Sequence, residues 1–398
     1  MEGRPARRAA GMPPGRLRVV GALGIFEILA WGSSFYLLSV LAAPIAAETG
    51  WPLSGIVGGL SAGLLVAGLA SPQVGAIIDR RGGRPVLAFS ALVMALGLVI
   101  LGLAPTLPVF LGGWILLGLG MGSGLYDPAF ATLGRLYGAE ARPAITTLTL
   151  WGGFASTVSW PLSALLVDQV GWRGTCLAYA GLQLCVSLPL VLGLLPEAGA
   201  GSAHSGAASS PAPAALDPRE RRAFLLMAGV LTLGGAVMTL VSVHLVTLLQ
   251  ARGVPLASAV TYGALIGPSQ VAARVVEIAG RGRYHPLWTL TAAMSLVALG
   301  ILLLADGLPV VGMALVLYGA GNGIYSIARG TVPLVLFGPE RYARLIGRLA
   351  RPGLVAQALA PLLGAFVLTH GGADALFAVL AALALANVGL VLALWRVR

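Results

Sequence analysis

The sequence predicts an all-α membrane protein of twelve spanning helices, arranged as two six-helix pseudo-repeats. Three observations predict it: the apolar content, the alternation of arginine along the chain, and a self-similarity at an offset of about two hundred residues. Of 398 residues, 58% are hydrophobic and 10% charged, and the mean hydropathy is +0.91. A soluble chain of this size would expose that apolar surface and aggregate. Twelve helices of ~20–25 residues need ~240–300 residues, which leaves short loops.

The first 18 residues carry Arg4, Arg7, Arg8, Arg16 and Arg18 among Pro and Gly. They are expected to form a basic cytoplasmic tail. The apolar run 19–41 is too long for the core of a signal peptide and is read as the first, uncleaved span. Further spans are predicted at 54–78, 85–104, 108–130, 144–168 and 174–195. After a linker come 223–250, 256–280, 286–305, 308–331, 349–369 and 373–395. Residues 196–222, rich in Gly, Ser, Pro and Ala, read as a flexible cytoplasmic linker. They divide an N-terminal bundle, 19–195, from a C-terminal bundle, 223–395, and 396–398 form a short tail.

All 25 basic residues are arginine. A basic excess can mark nucleic-acid binding, but here the arginines sit in short loops between apolar spans. Alternate loops hold Arg80, Arg81 and Arg84; Arg135 and Arg142; Arg219, Arg221 and Arg222; Arg281 and Arg283; and Arg341, Arg344 and Arg348. The other loops carry Glu48, Asp168, Asp306 and Asp374, with only Arg173 and Arg252. The positive-inside rule then puts both termini and the linker in the cytoplasm. The expected setting is the inner membrane, multi-pass, with the bilayer as partner and no nucleic acid.

The halves repeat. Gly120-Met-Gly122-Ser-Gly124-Leu-Tyr126 aligns with Gly319-Ala-Gly321-Asn-Gly323-Ile-Tyr325. Glu140, Pro161 and Gly171 align with Glu340, Pro361 and Gly371. The glycine run lies inside an apolar span, without the preceding strand a dinucleotide site needs. It reads as a thin, closely packing helix. Cys176 and Cys185 share one span and read as small core residues, not a disulfide framework. No metal-ligand cluster, cofactor motif or catalytic set is apparent, so an enzyme is not expected.

Polar groups inside spans are the candidate machinery. An ionised carboxylate in hydrocarbon costs ~2.5–3.5 kcal/mol or more, so Glu27 is a candidate proton carrier or a paired structural acid. Trp31 and Tyr36 suit a cavity wall; Ser33 suits helix packing. Asp127 is read as ending the fourth span, capping it or pairing with loop arginines. Arg274 and Glu277 stand one turn apart and can face each other; the alternative makes Arg274 a bidentate anion site. Arg329 is a second anion contact or the partner of Asp127, and Arg351 a membrane-edge anchor. His244 is a proton relay or simply hydrogen-bonded. Gln270 and Asn322, beside helix-weakening Pro and Gly, are candidates to line the cavity.

The turn between the second and third spans reads Gly75-Ala-Ile-Ile-Asp79-Arg80-Arg81-Gly82-Gly83-Arg84-Pro85. It resembles the signature loop of the major facilitator superfamily, roughly G-x-x-x-D-R-x-G-R-R. Gly75, Asp79, Arg80, Gly82 and Arg84 match, and Gly83 stands where the family usually has a base. The resemblance implies the two-half transporter fold, a small-molecule substrate, coupling to a proton or another ion, and gating ion pairs in which Asp127 would serve. A monomer is expected. Trp114 occupies the place where many drug–proton antiporters of the family carry an arginine. The series Arg142-Pro-Ala-Ile, Trp160-Pro161 and Gly171-Trp172-Arg173 resembles instead the monocarboxylate and oxalate/formate branch, which implies that Arg274 binds a substrate carboxylate. The expected function is therefore alternating-access transport of a small organic anion such as a monocarboxylate. Its rivals are efflux of a drug, toxic small molecule or metalloid, and a non-transporting sensor on the same fold.

Overall fold

The computed structural model describes residues 14–197, 216–280, 284–307 and 310–397. The first thirteen residues of the predicted tail, most of the predicted linker, Arg281 and Arg283, and Arg398 lie outside them. Everything described is helix or short connection, with no strand among the described residues.

The first leg is α1 (Pro14–Gly32) and α2 (Leu38–Thr49), joined by irregular turns. Next come α3 (Leu53–Arg81) and α4 (Gly83–Leu103). The fourth leg is split into α5 (Leu107–Gly124) and α6 (Tyr126–Tyr137). The fifth is split into α7 (Ala141–Gly153) and α8 (Ala155–Leu182), and α8 turns sharply at Gly171, φ 69°, to begin the sixth. A π turn, Gln183–Ser187, leads to α9 (Leu188–Leu194). The second series runs α10 (Pro218–Ala251), α11 (Leu256–Ala264) with α12 (Ile266–Ala279), α13 (Pro286–Ala305) and α14 (Val311–Phe337). The last two legs form α15 (Pro339–Val397), folded back at Gly372, φ 73°. Twelve legs result, six in each series. Seven stretches are long and apolar enough to cross a membrane when merged helices are counted together.

Several boundaries differ from the sequence reading. The fourth leg continues to Tyr137, and α14 and α15 meet at Gly338 alone. Several arginines that read as loop residues, Arg80, Arg135, Arg341 and Arg344 among them, lie within the ends of helices. Arg351 is consequently not an edge anchor: it lies ~18 Å into α15, and its carbonyl approaches Gly68 near the middle of α3. The turn glycine of the second repeat is Gly372, one residue past the aligned Gly371. Cys176 is buried as expected, but Cys185 is exposed. Asp217 and Glu220, assigned to the linker, instead form a capping box on α10.

Breaks in the inner legs have local causes. Pro128 has no N–H to bond the carbonyl four residues earlier, so the fourth leg interrupts at Leu125, which is extended. Two hydrophobic cores form, one from 19–195 with a few α14 and α15 residues and one from 223–397. Trp114, fully buried, fills the first against Gly59 and Gly63. The repeat extends to a detail: Gln183 donates to the sulfur of Met94, and Asn387 to that of Met294.

Except for one interior pair, Arg329–Asp127, the ion pairs among the described residues sort onto two faces. Arg16–Glu140, Arg84–Glu197, Arg341–Glu220 and Arg344–Asp79 lie on the face of the predicted inside loops. Arg173–Glu48 and Arg252–Asp374 lie on the other.

Candidate functional site: a cavity at the seam of two helix bundles

The seam between the series is sealed near the Gly75–Pro85 loop. Glycines bring α3 and α15 together: a Cβ on Gly347 would lie 2.4 Å from the Ser71 carbonyl oxygen, and one on Gly75 2.6 Å from that of Ala343. Tyr342 of α15 enters the N-terminal core, fully buried, and its hydroxyl donates to Gly330 O at 2.7 Å. Arg344 Nη2 donates to Asp79 Oδ2 at 2.8 Å, across the seam, while Arg135 donates to the Asp79 carbonyl. Gly82 takes φ 81°, a conformation that favours glycine. Gly83 replaces the family's usual base because Thr132 fills the space: a Cβ there would lie 1.9 Å from Oγ1. Arg80 is exposed, and Arg84 reaches Glu197 and the Leu192 carbonyl. Away from this face, α2 packs on α3 and α8, and α11 on α10, α12 and α14, each within its own series.

Above the seal lies a cavity lined by Trp31, Phe35, Tyr126, Asp127, Arg329, Gly347 and Gln357, among others. Arg329 Nη2 donates to both carboxylate oxygens of Asp127, each at 2.7 Å. Asp127 therefore does not end a span at the membrane edge, nor does it bind loop arginines. It opens the first turn of α6, where the positive helix terminus favours a carboxylate. Of the two readings of Arg329, the structure places it as the partner of Asp127. Its Nε remains buried without a partner.

Glu27 is fully buried in α1. Its Oε2 accepts from Trp31 Nε1 at 2.8 Å, and Oε1 has no partner. Asp127 and Arg329 lie within its electrostatic reach. The Trp31 ring packs at 5.2 Å from that of Tyr126, whose hydroxyl donates to Thr149 O at 3.3 Å.

Arg274 lies where α12, α14 and α7 meet, 5% exposed. Its Nε donates to Gly323 O at 3.2 Å and Ser326 Oγ at 3.1 Å. Its Nη1 is buried and has no partner among the described residues. Gly153, at the α7–α8 break, makes room for it: a Cβ would lie 2.0 Å from Nη1. The anticipated pairing with Glu277 does not occur. Glu277 turns the other way and accepts from Thr289 Oγ1 at 2.8 Å. Tyr36, in the break of the first leg, lies within electrostatic reach of Arg274.

Other candidates sit elsewhere. Asn322 lines a separate small pocket inside the second bundle with Tyr318, Tyr325 and Asn387. Gln270 presents its backbone to Gly323. His244 Nε2 lies 3.2 Å from Pro361 O, at a helix joint where Gly364 leaves it space. Ser33 accepts from Gln183 at 2.9 Å, a packing bond. The sequence reading missed Tyr126, Gly153 and Ser326; the aligned Tyr126/Tyr325 pair was the available signal for the first.

The comparisons agree with this architecture. The model of the Major Facilitator Superfamily matches residues 23–350. An uncharacterized 38 kDa protein of Thermoproteus tenax is 31% identical over 362 residues, covering 90% of this chain and 91% of that protein. Rat monocarboxylate transporter 4 is 25% identical over 306 residues, covering 74% of this chain and 64% of the transporter. Among solved structures, the human organic anion transporter MFSD10 (TETRAN) superposes with a TM-score of 0.74 at 21% identity, covering 96% of this chain and all of that one. At that identity the likeness speaks for the fold. Two six-leg series around a central cavity, the signature loop, and a family model spanning most of the chain lead to one conclusion: this multi-pass membrane protein belongs to the major facilitator superfamily of transporters and is related to its monocarboxylate branch.

Proposed function

We propose that the protein carries a small organic anion, a monocarboxylate in the first instance, by alternating access, and that a proton moves with it through Glu27. The observation that carries the reading is Arg274 Nη1, buried and without a partner among the described residues. A guanidinium cannot shed its charge, and leaving a charge unpaired in a membrane interior is costly. A substrate carboxylate supplies the missing acceptor in a charge-assisted, bidentate pair. The kinship with monocarboxylate transporters supports the same class. In this reading residues 19–195 and 223–395 are the two rocking bodies, the protein works as a monomer in the inner membrane, and its termini and linker face the cytoplasm. Glu27, with one oxygen bonded to Trp31 and one free, holds the transported proton.

The test is proton flux into liposomes carrying the purified protein, driven by a panel of small carboxylates and then by lipophilic cations. Carboxylate-driven flux that disappears in Arg274→Ala supports the proposal. Flux only with cations, indifferent to Arg274 but lost in Glu27→Gln or Asp127→Asn, replaces it with efflux of a drug or toxic compound. Binding without flux or counterflow points to a sensor.

A further inference from the structure

We propose that the anion taken by this site carries an aromatic ring, so that the substrate is an aryl carboxylate and not a short aliphatic one. This rests on the anion reading of Arg274 and adds the identity of the group attached to the carboxylate. The observation is a continuous row of four rings, Trp31, Phe35, Tyr36 and Trp160. Centroids are 5.4 Å apart for Trp31–Phe35, 5.5 Å for Phe35–Tyr36 and 6.0 Å for Tyr36–Trp160. All three contacts are edge-on, at 69°, 90° and 84°.

The row begins beside Arg274: the Trp31 ring lies 5.2 Å from that of Tyr126, which packs on Gly152, and Arg274 Nη1 packs on the adjacent Gly153. Trp31 and Phe35 line the central cavity beside Asp127 and Arg329. Tyr36, from the first series, lies within electrostatic reach of Arg274 in the second. Trp160 is 47% exposed, the most accessible ring of the four. The polar tips divide the labour. The Trp31 N–H is committed to Glu27. The Tyr36 hydroxyl makes no hydrogen bond among the described residues and is free to donate to a ligand. The groups beside it are rings, Trp31, Phe35 and Trp160.

Ring walls discriminate by geometry. Aromatic groups gain from offset or edge-to-face contact at centroid distances of ~4.5–7 Å, beyond the apolar area they bury. A chain of two or three carbons reaches one ring at most, and a saturated ring of equal bulk has no quadrupole to match. Two such contacts correspond to roughly ten-fold tighter binding of an arene than of its saturated analogue.

The test is calorimetric titration of the purified full-length protein with four probes: lactate, 3-phenyllactate, 3-cyclohexyllactate and 3-phenylpropane-1,2-diol. The three acids share one head group, and the diol keeps the ring but lacks the carboxylate. We expect 3-phenyllactate to bind about ten-fold tighter than the cyclohexyl acid, lactate to bind weakest, and the diol not to bind. Trp160→Leu should weaken 3-phenyllactate binding several-fold more than that of lactate, while Trp160→Phe keeps the phenyl preference, which separates ring chemistry from misfolding. Equal binding of the phenyl and cyclohexyl acids overturns the proposal, as does a Trp160→Leu loss shared equally by lactate; with the diol still silent, the anion reading survives either result. A diol that binds as well as 3-phenyllactate overturns the anion reading and this inference with it.

Discussion

Asp127 and Arg329 join the two halves of the protein through a single guanidinium nitrogen held 2.7 Å from both carboxylate oxygens. The pair is mostly enclosed, with side-chain exposures of 13% and 19%. It forms the floor of the central cavity, just above the glycine-packed seal.

Removing one partner strands the other's charge. Asp127→Asn or Arg329→Met should each lower stability by about 3–5 kcal/mol, whereas the double variant Asp127→Leu/Arg329→Met should recover most of it. Thermal unfolding of the purified variants in one detergent decides this. Additive losses in the double variant would show that the two residues act independently.

The seal between α3 and α15 depends on the absence of side chains. Gly347→Val should wedge the helices apart, since even its Cβ meets the Ser71 carbonyl at 2.4 Å. In a background lacking Cys176 and Cys185, a cysteine placed at the buried Ile346 should react with a maleimide several-fold faster when Gly347→Val is present. An unchanged rate would mean that the seal tolerates the intrusion.

Glu27→Gln keeps the acceptor for the Trp31 N–H and removes the site for a travelling proton. Substrate exchange across the membrane should persist in this variant while substrate-driven proton flux is lost. Loss of both would assign Glu27 to substrate binding.

On the loop face, Glu220 accepts from Arg341 and from its own capping box, and Arg341 chiefly holds its carboxyl below the usual range. The folded protein thus takes up this proton less readily than the unfolded chain. The stabilisation is present above the ordinary glutamate value, about 4.3, and is lost as pH falls through the lowered folded value. The difference in unfolding midpoint between wild type and Glu220→Gln should be measurable at pH 7 and shrink as pH falls below the ordinary glutamate value. A difference constant with pH would contradict this.

Much of the fold was legible because it is written in long-range chemistry. Hydrocarbon thickness sets span length, and arginine alternation separates two faces, as the two sets of ion pairs reflect. Less legible was where a helix stops once it leaves the bilayer. The fourth leg was read as ending at residue 130, yet it runs to Tyr137, which moved Asp127 from an edge to the cavity. Pro128 was the visible cue, but a proline marks a break without saying whether the helix resumes. Side-chain direction was also hidden. Arg274 and Glu277 are spaced to pair, and only packing reveals that Thr289 draws the acid away. Gly153 looked like one small residue among many, because its role is defined by a guanidinium more than a hundred positions away.

The interruptions of the inner legs are unevenly shared. In the first series the first, fourth, fifth and sixth legs depart from regular α-helix, at 33–37, Leu125, Phe154 and 183–187; among the described residues of the second, the eighth does, at Leu265. A continuous helix resists bending, whereas a break that lacks its ladder bonds absorbs a change of angle. Compliance is therefore concentrated on one side of the seam, the side that bears Glu27 and the aromatic row. The opposite side, with the 34-residue α10 free of internal proline, has the build of a stiffer lever. A substrate seated between them would be wrapped by one half while it is carried against the other.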